Sequence, residues 1–233
     1  MAWGRRPKVR FQGAEKGLFT LRVTGALALD TLYFTLGSGN SFKPALVLRQ
    51  TERRCRLQCL DVLAGETRRP AFLAINPRGQ VPYLVTAQGA GLGESNAIAW
   101  YLAEGTPLMP SSPLARAQAV QWMIYEQTAL EPNISPARFF THILPGERER
   151  RAADIARWQE AAQSGLAGLD RHLQGREFIT DHGYSVADIA VYGYTHLAEE
   201  GGVSLARHDA VQAWMGRVRT TPGYAGIADL LVA

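Results

Sequence analysis

Two short runs hold the residues whose types and spacing could do chemistry. In the first, Asn76-Pro77-Arg78-Gly79-Gln80 leads into Val81-Pro82 and then the β-rich Tyr83-Leu84-Val85. In the second, Glu94-Ser95 opens Asn96-Ala97-Ile98-Ala99-Trp100-Tyr101-Leu102, whose apolar residues suit a helix. Main chain at a strand start can pair with an extended peptide. A serine at a helix start can offer its hydroxyl and backbone N–H to a carboxylate, helped by the positive end of the helix dipole. Side by side, the two runs could grip a small peptide by its backbone and its carboxylate at once. A third polar run, Gly37-Ser38-Gly39-Asn40-Ser41, adds hydroxyl and amide donors.

Positioning these runs takes a β-α-β-α-β-β-α order over residues 30–104. Thr31 to Thr35 is a strand bounded by Gly37, Gly39 and Asn40. Ser41 is placed to cap a helix from Phe42 to Leu48, with Pro44 in its first turn, where a missing N–H costs nothing. Cys55 to Val62 alternates as a strand, and Glu66 to Ile75 reads as a short helix or turn. Val81 to Val85 and Gly89 to Leu92 form a hairpin-like pair, followed by a helix from Glu94 to Glu104. Gly105-Thr106-Pro107 and Pro110-Ser111-Ser112-Pro113 then punctuate the chain. Everything after them is helical. Leu114 to Leu130 and Asp154 to Leu173 are long and amphipathic, and Pro132, Pro136 and Pro145 break or bend the region between. Ser185, with Asp188 three residues on, forms a capping box. His208 to Arg219 and Tyr224 to Leu231 complete the set. The expected domains are therefore a basic extension (1–28), an α/β domain (29–105), a linker (106–112) and an all-helical domain (113–233).

Composition is that of a globular chain, 46% apolar and 20% charged. No apolar run reaches the roughly 20 residues that span a bilayer. The chain carries +4, of which +5 lies in residues 1–28, leaving −1 for the rest. The basic character belongs to the extension and argues against nucleic-acid binding. That extension shares its Arg content and scarcity of acids with mitochondrial presequences. The plainer reading is a poorly ordered segment or a start codon assigned too early. Cys55 and Cys59 are too few for a disulfide framework, and no His or Cys stands at metal-ligand spacing to them. His142 and His196 are isolated and read as structural. The expectation is a cytoplasmic protein with no metal site.

With these runs in order, the sequence resembles the glutathione transferase superfamily in its bacterial branch, from Thr31 to the C-terminus. Asn76-Pro77-x-Gly79-Gln80-Val81-Pro82 resembles the family's loop before its cis-proline. Glu94-Ser95-Asn96-Ala97-Ile98 resembles its γ-glutamyl motif, and Tyr184-Ser185-Val186-Ala187-Asp188-Ile189-Ala190 its central-helix capping box. Gly65-Glu66-Thr67-Arg68 and Thr195-His196-x-Ala198-Glu199-Glu200-Gly201-Gly202 also resemble bacterial members. The resemblance implies a thioredoxin-like domain followed by a helical domain, assembled as a homodimer, with glutathione as co-substrate.

The resemblance also assigns roles. Gln80, Val81 and Pro82 would hold the cysteinyl backbone, Glu94 the γ-glutamyl ammonium and Ser95 the neighbouring carboxylate. A free thiol, with a pKa of about 8.5, must be held as thiolate to react. Ser38 and Asn40 carry over as its stabilisers. Many similar bacterial sequences read Ser-Gly-Asn-Cys-Tyr-Lys, whereas this chain has Ser38-Gly39-Asn40-Ser41-Phe42-Lys43. That departure argues against chemistry through an enzyme cysteine, and leaves Ser41 as a helix cap or a glutathione contact. Trp122, Tyr125, Phe139 and Phe140 are candidates for a second-substrate wall, with Arg138 as an anion contact. The implied reaction is conjugation to an electrophile. Glutathione-dependent disulfide or peroxide reduction, or a binding protein that has lost catalysis, remain as alternatives.

Overall fold

The computed structural model describes residues 29–230. The expectation for residues 1–28 lies outside them. Strands β1 (Thr31–Phe34), β2 (Arg56–Cys59), β3 (Tyr83–Val85) and β4 (Gly91–Leu92) form one sheet in the order β2-β1-β3-β4. β2 runs parallel to β1, with Phe34 opposite Cys59, and β3 and β4 add antiparallel. Alternation decides which face is covered. Leu32, Phe34 and Leu84 join the core that includes Phe42 and Leu46 of α1 (Gly39–Gln50) and Ile98 and Leu102 of α3 (Ser95–Ala103). Tyr33, on the opposite face, meets Phe72 of the short α2 (Pro70–Leu73) with ring centroids 5.4 Å apart. This is a thioredoxin-like sheet followed by a helical region, as the resemblance implied.

The helical half comprises α4 (Pro113–Tyr125), α5 (Glu131–Arg138), α6 (Ala152–Leu173), α7 (Val186–Thr195) and α8 (Asp209–Arg219). Every residue of α7 is buried. Its capping box is complete: Ser185 accepts from the Ala187 N–H, and the Asp188 carboxylate accepts from the Ser185 N–H at 2.9 Å. Asp188 also takes the Ile179 N–H and the Trp214 indole N–H, so one carboxylate ties α7 to α8. Two glycines let α1 lie against α7. A Cβ on Gly39 would meet the Gly193 carbonyl at 2.5 Å, and one on Gly193 would strike the Lys43 stem. The segment between the two halves is anchored: Leu108 and Met109 are buried, and the Leu108 carbonyl accepts the Val186 N–H. Among the described residues, no helix is long and apolar enough to cross a membrane.

Four local expectations are corrected. The α1 cap is Ser38, whose hydroxyl accepts from the Ser41 N–H, so α1 starts earlier and Pro44 falls inside it. The second strand is short because only Arg56–Cys59 pair with β1, along an exposed edge. Pro132 and Pro136 do not break the helical path. π-helical segments at Glu126–Leu130 and Phe139–Ile143 carry it past them, with the Glu131 N–H reaching the Glu126 carbonyl. A proline removes one rung of the usual ladder, and a wider turn is one way to accommodate it. Finally, residues 224–230 form turns rather than a helix, after Gly223 at φ 75° and around a single turn on the Gly226 carbonyl.

His196 caps the C-terminal end of α7, stacked on Tyr192 and close to Phe42. Its Nδ1 lies 2.7 Å from the Tyr192 carbonyl, to which it donates, and its buried Nε2 has no partner among the described residues. Burial pushes its pKa down from 6.5 to about 4. The unfolded chain therefore binds this proton more readily than the folded one, and stability falls as pH drops from 6.5 towards 4, by about 3 kcal/mol in the limit. Buried Asp188 acts oppositely. Burial raises its pKa from 3.8 to about 6 despite its four donors, so its contribution grows as pH falls through that window. Urea denaturation of the native protein and His196→Phe at pH 7 and pH 4.5 isolates the histidine. The variant is expected to lose less stability on acidification, and equal losses would contradict the assignment.

Candidate functional site

The C-terminal ends of β1 and β2, the loop before β3 and the start of α3 face α5 and the π-helical turn that follows it. Between them lies a cleft of about 1350 Å³. Its sheet side is lined by Ser38, Asn40, Gln80, Val81, Pro82, Glu94 and Ser95. Its helical side presents Gln127, Glu131, Ser135, Arg138, Phe139 and Tyr194.

Three backbone features shape the sheet side. The Val81–Pro82 peptide is cis. The N–H and C=O of Val81 find no hydrogen-bond partner among the described residues, leaving a free main-chain edge at the cleft. Glu94 sits at φ 63°, in the left-handed region a non-glycine residue rarely occupies. It delivers Ser95 as the first residue of α3, with the unpaired N–H groups of that helix start close by.

A buried polar network lies beneath this surface. Lys43 of α1 and Glu126 are both fully buried, and the Lys43 ammonium donates to both carboxylate oxygens at 2.8 Å. The same ammonium reaches Asn40 Oδ1 at 3.1 Å and Ser95 Oγ at 3.4 Å. Asn96 and Gln127 donate to the Glu126 carboxylate as well. The Ser95 hydroxyl donates to Asn40 Oδ1 at 2.9 Å, and Asn40 Nδ2 donates to Glu131 Oε1 at 3.2 Å. The orientation of Asn40 is therefore fixed from three sides. Ser38 differs. Its oxygen accepts from the Ser41 N–H, and its own proton has no acceptor among the described residues. A hydroxyl donor at the N-cap of α1 is thus available to an anion in the cleft.

Most of the sequence-derived site residues converge. Ser38, Asn40, Gln80, Val81, Pro82, Glu94, Ser95, Arg138 and Phe139 all line this one cleft. Ser41 does not: it is fully buried, and its oxygen accepts from the Thr35 N–H. Trp122 and Tyr125 are corrected too. Trp122 is buried against Tyr125 and His172, and the Tyr125 hydroxyl donates to the Gly165 carbonyl, so both hold helices together away from the cleft. Phe140 stacks on Trp158 instead of facing the cleft. Arg138 is present but engaged, donating to Glu200 at 2.5 Å and to the Gly37 carbonyl at 2.7 Å, and so fixes the loop before Ser38. Glu94 is exposed and paired with Arg78 at 2.6 Å. Sequence reasoning missed Lys43, Glu126, Glu131, Ser135 and Tyr194. The Tyr194 hydroxyl accepts from Ser135, and burial raises its pKa.

Comparison with known proteins agrees with this geometry. Residues 37–104 match the family described as glutathione S-transferase, N-terminal domain. The chain is 31% identical to the disulfide-bond oxidoreductase YfcG of Escherichia coli over 82% of this chain and 90% of the relative. A structure described as a possible glutathione S-transferase from Rhodopseudomonas palustris superposes with a TM-score of 0.83 at 44% identity, covering 86% of this chain and 98% of that one. A glutathione transferase family member from Pseudomonas fluorescens, solved with two glutathione bound, gives 0.76 at 25% identity over 88% and 92%. The chain belongs to the glutathione S-transferase family.

The Lys43–Glu126 pair crosses from the sheet half to the helical half. Lys43→Met leaves a buried carboxylate without its cation and is expected to cost about 3–5 kcal/mol. In Lys43→Met/Glu126→Leu no uncompensated charge remains, so the double variant is expected to be destabilised by less than the two single variants combined. Urea unfolding of all four proteins checks this, and strict additivity would show the pair to be uncoupled.

Proposed function

We propose that the cleft binds glutathione and holds its sulfur as a thiolate that attacks a small apolar electrophile. The attack forms a carbon–sulfur bond as the leaving group departs with its electron pair. The observation that carries this reading is the uncommitted Ser38 hydroxyl, placed at a helix N-terminus in the cleft that also holds the free edge of Val81. The cysteinyl backbone pairs with Val81, and a glutathione carboxylate takes the free N–H groups at the start of α3, where Ser95 stands. Ser38 donates to the sulfur, with Asn40 fixed beside it. Hydroxyl donation to an anion and the positive helix end both lower a thiol pKa. The solved relative with bound glutathione supports the choice of ligand.

Apolar side chains at the cleft mouth, Leu36, Val62, Leu63, Phe139 and Ile143, form the wall offered to the second substrate. A second reading is reduction of a disulfide by the same thiolate, favoured by the similarity to the Escherichia coli oxidoreductase. A homodimer in the cytoplasm belongs to the same proposal, and the exposed Val120 and Ile124 on α4 suit a self-association surface.

Ultraviolet titration of bound glutathione thiolate tests the role of Ser38. Ser38→Ala is expected to raise the bound thiol pKa by about 1–2 units, the equivalent of one hydrogen bond to a charged group. It also removes the α1 cap, at about 1 kcal/mol of stability. Ser38→Asp separates the two effects, because an ionised carboxylate caps the helix but cannot donate to sulfur. It is expected to restore stability and leave the thiol pKa high. A titration curve identical to native in both variants would move the role to Asn40 or Tyr194.

A further inference from the structure

A second hydroxyl in the cleft, besides that of Ser38, has no acceptor for its proton among the described residues. It belongs to Tyr194, near the C-terminal end of α7, which is buried at 6% exposure yet lines the cleft. A Cβ on Gly39 would meet the Tyr194 Cε2 at 3.0 Å, so one edge of the ring lies against the residue that follows Ser38. The hydroxyl reaches α5, where it accepts from the Ser135 hydroxyl at 3.0 Å. A phenol both accepts and donates, so its own proton stays available. A hydroxyl that accepts one hydrogen bond becomes a stronger donor in the next. Ser135 and Phe139 both line the cleft and stand four residues apart, so this donor and an apolar ring belong to one helical wall.

We propose that Tyr194 donates a hydrogen bond to the oxygen of the second substrate, and so selects conjugated carbonyl compounds as the electrophiles of this cleft. The proposal rests on the glutathione reading and deepens it by naming the substrate class. In these compounds no group departs. The thiolate forms a carbon–sulfur bond at the β-carbon, the carbon–carbon π pair shifts towards the carbonyl carbon, and the carbonyl π pair ends on oxygen as an enolate. Water then returns to the α-carbon the proton that the thiol gave up to solvent. Tyr194 donates to the oxygen while it carries that charge, and a fixed donor aimed there stabilises the charge as it develops. Ser38 serves the sulfur, so each of the two uncommitted hydroxyls has one anion. Tyr194 is suited to donating a hydrogen bond and not to giving up its proton. Burial raises its pKa, Glu131 and Glu126 add to the rise, and the Ser135 hydrogen bond and Arg138 oppose it. A phenolate in the field of two carboxylates is disfavoured. A hydroperoxide, whose departing alkoxide needs a full proton, therefore suits this group less than an enolate that water protonates on carbon. A substrate held by one neutral donor among Leu36, Val62, Leu63, Phe139 and Ile143 is apolar apart from that oxygen.

Tyr194→Phe removes the hydroxyl and keeps the ring. The test compares conjugation of glutathione to benzylideneacetone, an unsaturated ketone, with conjugation to benzyl chloride, which has no oxygen and loses chloride. The variant is expected to lose roughly tenfold to a hundredfold in kcat/KM with the ketone, the scale of one donor at a developing oxyanion. Its rate with benzyl chloride, its glutathione affinity by calorimetry and the pKa of the bound thiol are expected to match native. Ser135→Ala leaves Tyr194 in place without its supporting bond. It is expected to show the same selective loss at smaller size, and it carries the test if Tyr194→Phe does not fold. Equal losses with both substrates would overturn the proposal. So would weaker glutathione binding or a higher thiol pKa in Tyr194→Phe, either of which would assign the hydroxyl to glutathione itself. A native protein that binds glutathione but does not conjugate the ketone would overturn the proposal and leave the glutathione reading standing. Failure to bind glutathione at all would overturn that reading, and the proposal with it.

Discussion

The structure depends on one ion pair that water does not reach. Lys43 lies on α1 of the sheet half and Glu126 at the end of α4 in the helical half, both fully buried. Taking two charges out of water is costly, and such a pair is retained only where geometry and further hydrogen bonds compensate. Here they do. Asn40, Ser95, Asn96 and Gln127 complete the shells of the two ions. The pair thus does more than join two halves. It requires α1, α3 and α4 to meet in one register, and it fixes the side chains that form the cleft floor. Gly39 and Gly193 give α1 and the Lys43 stem the room to reach that position against α7.

The cleft inherits its division of labour from this network. Asn40 is immobilised by the ammonium, by Ser95 and by Glu131, so it acts as a rigid bridge. Ser38 receives only a backbone bond and keeps a free donor. Arg138, anchored by Glu200, holds the Gly37 carbonyl and hence the turn that carries Ser38. Fixed donors aimed at the place where charge resides stabilise an anion without reorganising when it forms. The same cleft is lined by apolar side chains, Leu36, Val62, Leu63, Phe139 and Ile143, which the proposed conjugation would use for its apolar partner.

Much of this was legible in the sequence, for identifiable reasons. β1, α3 and α7 are marked by local signals that tertiary packing reinforces: alternation at Leu32 and Phe34, Ser95 at a helix start, and the Ser185–Asp188 box. Most of the expected site residues also meet in the cleft, because loop and helix-start positions are tied to local chain direction. Side-chain direction was less legible. Trp122 and Tyr125 share a helix with residues near the cleft but point into the helical core, which spacing alone does not reveal. Ser38 and Ser41 are both plausible caps, and only the observed helix start separates them. The prolines after Leu130 looked like breaks because local rules do not anticipate π-helical turns. Lys43 and Glu126 did leave a trace. Each interrupts an apolar helix face, Lys43 beside Phe42 and Leu46, and Glu126 between Met123 and Leu130. Two such opposite charges have reason to find one another.

The most direct measurement is a crystal structure of the native protein soaked with glutathione. The account predicts the sulfur within hydrogen-bond reach of Ser38 Oγ, the cysteinyl backbone paired with Val81, and the γ-glutamyl end at the start of α3 beside Ser95. A cleft that stays empty at saturating ligand, or a sulfur turned away from Ser38, would contradict it.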